Sequence, residues 1–414
     1  MTMHSPLLII FRVFFPFAAG YFLSYLYRVV NAVIAPDLIA DVGIGPSALG
    51  LLTAVYFISF ASFQLPLGIL LDRYGPRKIE ALLLLFAGLG ALLFARAESV
   101  TALIVGRAFI GFGVSACLMA AFKAFTLWFP RDTWPMVNGF QMAAGGLGAL
   151  AATAPVESAL QFTDWRTVFT ILACVTAITS LLLFLVVPEK TTSSNKESFH
   201  RQLQGIGEVF SNRNFWQLAP LTTLSQATFM AVQGLWAGPW LTNVALLDRS
   251  TVANILLWVA VAMIAGFITL GSLTERLVRR GISVQTTAVT GMVLFMVVQL
   301  LLISNPEGWT RFLWMAFGFF GTSGIIAYSA LTRSFDVELS GRVTTAINLL
   351  VFIAAFTAQW LIGAVISLWP VGAGGELSPE GFTYGFGIIW FLQLLCLGSF
   401  FLIKKRRLSQ KRKT

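Results

Sequence analysis

Three cationic side chains, Arg28, Arg107 and Lys123, lie inside long apolar stretches of a chain in which only 11% of residues are charged. An arginine at the centre of a membrane-spanning helix costs about 2.5–3.5 kcal/mol on the insertion scale, so such groups usually face a bundle interior or a wet cavity. Tyr21, Ser24, Arg28 and Asn31 follow the i, i+3, i+7, i+10 spacing that puts all four on one helical face. Arg107 sits at a similar depth. Each arginine is about seven residues from the outer end of its stretch, or about 10 Å at roughly 1.5 Å per residue. Two planar guanidinium groups at one depth suit a carboxylate or similar anion, which they grip bidentately. Lys123 lies about 24 Å further along the axis and about 160° round it, so it is expected to snorkel to the nearer surface.

Neutral polar stripes accompany these charges. Thr222, Gln226, Phe229 and Gln233 share one face, as do Asn348, Phe352, Ala355 and Gln359; Gln64 with Tyr56, and Asn138 with Gln141, form shorter sets. The amides Gln226, Gln233, Asn348 and Gln359 are candidate contacts to an organic ligand, with hydrogen bonding between helices as the alternative. The Gly238-Pro239 pair is expected to break its helix near the outer end. Among the eighteen aspartates and glutamates, Glu157 is the one expected within a span, and it is a candidate coupling group. Cations without matching acids favour an anionic ligand that neutralises them.

The elements that carry these residues follow from hydropathy. Residues are 57% apolar, and charged residues are far below the roughly 25% of soluble domains. Apolar runs of about 20 residues recur from end to end, the length of a helix crossing a bilayer. They read as 11–35, 46–71, 77–96, 100–122, 136–160 and 165–187, then 215–240, 251–273, 283–304, 310–331, 343–368 and 383–403. This predicts an all-α membrane protein of twelve helices. The domains are a six-helix bundle over 1–190, a linker over 191–214, a second bundle over 215–403 and a basic tail over 404–414. Cys117, Cys174 and Cys396 all fall inside apolar runs, so no disulfide framework is implied.

Alternate loops differ in charge. One set carries Arg73, Arg77, Lys78, Arg131, Lys190, Lys196, Arg201, Arg213, Arg276, Arg279, Arg280, Arg333, Arg342 and the tail, whereas the other carries only Arg96, Arg166, Arg249 and Arg311. Basic loops stay in the cytoplasm, which places both termini there in a bacterial-type inner membrane. The formal charge of +10 follows from that asymmetry and calls for no nucleic-acid partner.

The halves repeat. Gly68, Asp72 and Arg73 answer Gly271, Glu275 and Arg276 at an offset of 203, and Arg131 and Gly139 answer Arg333 and Gly341 at 202. Parallel six-helix repeats are a transporter plan. The stretch Gly68-Ile-Leu-Leu-Asp72-Arg73-Tyr-Gly75-Pro-Arg77-Lys78 resembles the loop signature G-x-x-x-D-R-x-G-x-R-K of the major facilitator superfamily at every defining position. Arg107-Ala-Phe-Ile-Gly111-Phe-Gly113 resembles that family's fourth-helix motif, Trp165-Arg166 opens the sixth helix as in many members, and Pro188-Glu189 closes it. The fifth helix lacks the Gly-Pro pair of proton-driven drug exporters, and the first lacks the Glu-x-x-Glu-Arg motif of oligopeptide carriers.

The resemblance implies two pseudo-symmetric bundles around a central cavity lined by helices one, four, seven and ten. It also implies a latch formed by Gly68, Asp72, Arg73, Gly75, Arg77 and Lys78, with a weaker copy at Glu275 and Arg276. The expected protein is a secondary carrier, with no cofactor and no metal site, that moves a small organic anion or carboxylate-bearing zwitterion by alternating access. It is expected to act as a monomer, embedded in lipid, with a proton or other ion as coupling partner. The alternatives are a proton-linked exporter of amphipathic compounds using Glu157, and a membrane nutrient sensor that binds without transporting. An enzyme is not expected, since no nucleotide loop, metal cluster or nucleophile triad appears at a common depth.

Overall fold

The structure is a computed structural model that describes residues 6–130, 134–190, 207–304, 308–332, 334–335, 340–372 and 376–411. The chain divides into two compact units, Met1–Phe199 and His200–Thr414. Residues 191–206 of the expected linker, together with Arg131 and Arg333 of the repeat, lie outside the described residues.

In the first unit, helix one comprises a π-turn Ile10–Phe14, then Phe15–Val29 and Asn31–Val42. Helix two is Pro46–Ser62 followed by Gln64–Tyr74, and helix three is Pro76–Ala95. Helix four is Val100–Gly113 with Cys117–Trp128, helix five Trp134–Ala151 with Ala154–Leu160, and helix six Trp165–Val186. Two of these breaks have a direct cause in proline, which lacks the N–H that would bond the carbonyl four residues back. Pro66 faces the Ser62 carbonyl at the break of helix two, and Pro155 faces that of Ala151 in helix five. Helix three packs between helices four and six, helix one against helix five, and helix two against helix four.

In the second unit, helix seven runs Phe215–Ala231, a π-turn Val232–Trp236 and Ala237–Asn243. The expected break at Gly238-Pro239 does not occur. Pro239 deprives the Leu235 carbonyl of its donor, and the helix widens into the π-turn around that residue rather than stopping. Helix eight is Arg249–Arg279, helix nine Val284–Ser304, helix ten Thr310–Gly321 with Gly324–Thr332, helix eleven Ser340–Ile366 and helix twelve Pro379–Lys411. Helix eight extends six residues beyond its predicted end, so Glu275 and Arg276 belong to a helix rather than a loop. The turn there is made by Gly281, with φ of 86°. Helix twelve likewise carries the start of the basic tail as helix.

Among the described residues, nine helical segments are long and apolar enough to cross a membrane. The large apolar side chains left exposed concentrate on helices three, six, nine and twelve: Leu82, Leu85 and Leu89, Ile178 and Leu185, Val297 and Leu300, Phe391 and Leu395. That is the pattern of surfaces solvated by acyl chains, while the polar stripes of helices one and seven are buried.

Candidate functional site

Two arginines of the first unit converge on one tyrosine. Arg107, fully buried, donates from Nη1 to the Tyr27 carbonyl at 2.8 Å, and its Cζ stands 5.1 Å from the centroid of the Tyr56 ring. Its Nε and Nη2 are buried and have no hydrogen-bond partner among the described residues. These two N–H groups point the same way from one edge of the guanidinium, which is the side-on fork that grips a carboxylate. Arg28, one residue beyond Tyr27, lies with Cζ 4.4 Å from the Tyr25 ring and 5.8 Å from that of Phe60, and it interacts with the Tyr56 hydroxyl. That hydroxyl donates to the Ser24 carbonyl at 3.1 Å.

Glycines make this convergence possible. A β-carbon at Gly111 would overlap the Tyr56 backbone, so helices two and four touch there, and Arg107, one turn earlier, meets the Tyr56 ring. Gly145 and Gly148 of helix five sit against the Tyr21 and Tyr25 rings and the Phe22 carbonyl, holding helix one in place. Elsewhere on the stripe, Tyr21 donates to Met142 Sδ at 3.6 Å and Asn31 Nδ2 donates to Thr53 Oγ1 at 3.1 Å, while Asn31 Oδ1 is buried with no hydrogen-bond partner among the described residues. The carbonyl bond of Arg107 ties helix four to helix one, so this residue has a packing function whatever else it holds.

The second unit uses its amides internally. Gln226 Nε2 donates to the Gly321 carbonyl at 3.0 Å, satisfying the interrupted helix ten, much as Gln64 donates to the Ser115 carbonyl at 3.1 Å in the interrupted helix four. Gln233 Nε2 lies 3.3 Å from Met263 Sδ, Gln359 Nε2 donates to the Ala231 carbonyl at 3.3 Å, and Asn348 Oδ1 accepts from the Tyr328 hydroxyl at 2.9 Å. The sequence reading missed a deeper set, in which Gln393 bonds Gln299 at 2.8 Å and Thr228 at 3.2 Å. Its three members lie on helices twelve, nine and seven, and no single helical stripe reveals them.

In the loop signature, Gly75 has φ of 81°, a left-handed value that favours glycine, and Pro76 opens helix three. Lys78 pairs with Glu189 and holds that carboxyl below the usual carboxylate range. Arg77 stacks over Phe184 at 5.0 Å and Arg73 over Tyr74 at 5.3 Å. Gly68 is half-buried in helix two, Arg276 is exposed, and the side chains of Asp72 and Glu275 lie outside the described residues. Glu157 is buried in the short helical piece after the break of helix five.

One expectation is overturned. Glu157 is not the sole acid within a span, because Glu80 of helix three is fully buried. It lies one turn into the helix, where a carboxylate ordinarily reaches the interface, and helix one closes over it at Gly20.

Comparison with known proteins follows the same lines. The model of the Major Facilitator Superfamily matches residues 17–359. A probable sulfoacetate transporter of Cupriavidus necator is 28% identical over 187 residues, 45% of this chain and 43% of the relative. A hexuronate transporter of Escherichia coli is 26% identical over 220 residues, 48% of this chain and 50% of the relative. The chain thus spans about half the length of the curated relatives it matches. A solved bacterial homologue of the human lysosomal transporter Spinster, inward-facing, superposes with a TM-score of 0.77 at 15% identity, covering 96% of this chain and 97% of that one. A D-xylose-proton symporter superposes at 0.71 with 15% identity, covering 94% and 97%. At such identities these two structures show the shared twelve-helix fold.

Proposed function

The chain belongs to the Major Facilitator Superfamily, and on that premise we propose that it is a secondary carrier of a small organic anion, with Arg107 and Arg28 as the cationic anchor. The observation that carries this reading is the unspent edge of Arg107. A buried guanidinium with two parallel N–H donors left over bears a desolvation cost that a bound carboxylate or sulfonate offsets. The Tyr56 ring lies against Arg107 and the Tyr56 hydroxyl meets Arg28, so one tyrosine links the two cations and supplies a planar surface.

Relatives named for sulfoacetate, hexuronate and nitrate agree with an anionic substrate. Tyr21, Ser24 and Asn31 shape the arginine stripe in this reading. Gln226, Gln233, Asn348 and Gln359 are proposed as ligand contacts from the second unit, and they must exchange internal bonds for ligand bonds. The proposed setting is a bacterial-type inner membrane, with the basic loops and both termini in the cytoplasm. Gly68 to Lys78 then form a cytoplasmic latch.

A thermal-shift series on the purified protein tests the substrate class, since a ligand that binds the folded state raises its melting temperature. Sulfoacetate, D-glucuronate and nitrate are set against D-glucose and uridine. Stabilisation by at least one anion and by neither neutral compound is expected. Stabilisation by the neutral compounds alone would overturn the anion reading.

A further inference from the structure

Glu80 stands apart from the arginine site. Its side chain is fully buried, and neither carboxylate oxygen has a hydrogen-bond partner among the described residues. The seam between helices one and three is shaped around it. A β-carbon at Gly20 would collide with Glu80 Oε1, so glycine there lets helix one lie directly on the carboxyl.

No described cation comes to meet it. On its own helix, Lys78 pairs with Glu189 and Arg77 stacks on Phe184. From helix one, Arg28 stacks on Tyr25 and Tyr21 is bonded to Met142; from helix two, Arg73 stacks on Tyr74. Helix four contributes Arg107, bonded to Tyr27, and Lys123, which has interactions of its own, and the Cys117 thiol, the titratable group that faces Glu80. Helix six offers an exposed Cys174, Arg166 paired with Asp41 at its far end, and Ser180, which donates to the Ala81 carbonyl at 2.6 Å. A bare carboxylate in such surroundings carries a desolvation cost that the weak Cys117 S–H donor offsets only in small part, and taking up a proton removes it. The surface is close, since Glu80 lies four residues after Pro76, about 6 Å along the axis.

We propose that Glu80 is the proton-binding site of this carrier, protonated while helix one packs over it and deprotonated when the seam between helices one and three opens. On opening, the O–H bond breaks, the electron pair stays on the carboxylate and the proton passes to water. Closing reverses the step. The inference rests on the carrier reading, because coupling has meaning only for a carrier, yet the protonation itself is measurable without any substrate.

The test uses the full chain in liposomes. Infrared difference spectra of wild type against Glu80→Gln, in water and heavy water, should show a protonated-carboxyl carbonyl stretch at neutral pH that the variant lacks. Its absence from wild type would overturn the proposal. Sulfoacetate or D-glucuronate is then followed in two modes. Glu80→Gln should keep exchange of internal for external anion and lose accumulation driven by a pH gradient, while Glu80→Asp, which keeps an acid, should retain part of it. Equal accumulation by wild type and Glu80→Gln would also overturn it. If Glu80→Gln does not fold, the band shift in Glu80→Asp and its retained accumulation decide the matter. Wild type that moves neither anion in either mode would count against the anion reading, while the infrared result still decides the state of Glu80.

Discussion

Replacing Arg107 by lysine keeps the charge and removes the fork. In the structure Nη1 is spent on the Tyr27 carbonyl, while Nε and Nη2 have no hydrogen-bond partner among the described residues and are the donors proposed for the anion. A charge-assisted hydrogen bond contributes about 1.5–3 kcal/mol. An ammonium that must also serve Tyr27 makes one bond to the anion where the fork makes two. At about 1.4 kcal/mol per tenfold change, loss of one such bond weakens binding about 10- to 100-fold. Arg107→Gln loses the charge as well and should bind below detection. The assay is calorimetric titration of the purified variants with the anion that stabilises wild type, with melting temperatures measured on the same samples. Binding by Arg107→Lys that matches wild type would refute the fork argument. A lowered melting temperature with intact binding would assign Arg107 to helix packing alone.

Arg28→Gln should abolish anion binding and Arg28→Lys should weaken it sharply, with melting nearly unchanged in both; titration and melting on the same samples check this, and a destabilised variant with normal affinity would make Arg28 structural. Gly148→Ala places a methyl against the helix-one backbone at Phe22, so overpacking of about 1–3 kcal/mol should exceed the roughly 1 kcal/mol gained in helix propensity and lower the melting temperature. Gly398→Ala in helix twelve meets open space and should raise it slightly; equal shifts for the two would refute the contact argument. The Asp41 carboxyl, held below the usual range by Arg166 and by Trp165 Nε1 at 3.1 Å, contributes stability above its unfolded value and loses it as pH falls through the lower folded value. Wild type should therefore melt above Asp41→Asn near neutral pH, and the gap should narrow as pH falls below the ordinary aspartate value of about 3.9; a gap that does not change with pH would refute the pairing.

Twelve helices were legible because a bilayer imposes a length and a composition on each span, and neither depends on what the span touches. The arginine stripe of helix one was legible for a similar reason: its spacing is local. What the stripe touches was not. Tyr56 meets both arginines because Gly111 lets helix two lie against helix four, and that contact couples residues 55 apart, 111 less 56, with no periodic mark in either segment. The breaks at Pro66 and Pro155 were not legible, since 46–71 and 136–160 read as continuous spans although the missing N–H of each proline acts on a carbonyl four residues back. Pro239 did not stop its helix because a π-turn absorbed the defect within the bundle core.

The buried polar atoms without a hydrogen-bond partner among the described residues are neutral in the second unit, on Thr223, Ser225, Trp314, Ser323 and Gln359, whereas the first unit has them on the ionisable Arg107 and Glu80, and this difference argues for where a charged ligand is held. Gln226, Gln233 and Asn348 of the second unit each have a partner in their own bundle, and Gln299 and Gln393 satisfy each other. To engage a ligand, such amides must first give up those bonds, so their net contribution to affinity is small. Arg107 of the first unit starts from a deficit, with two buried N–H groups already desolvated and unbonded. On the proposed reading, an anion reaching those donors breaks no protein hydrogen bond of theirs. Selectivity for charge should therefore reside in the first unit. Exchanging Gln226 or Gln359 for leucine should shift stability more than affinity, in the opposite sense to Arg28 and Arg107, where affinity should fall further than stability.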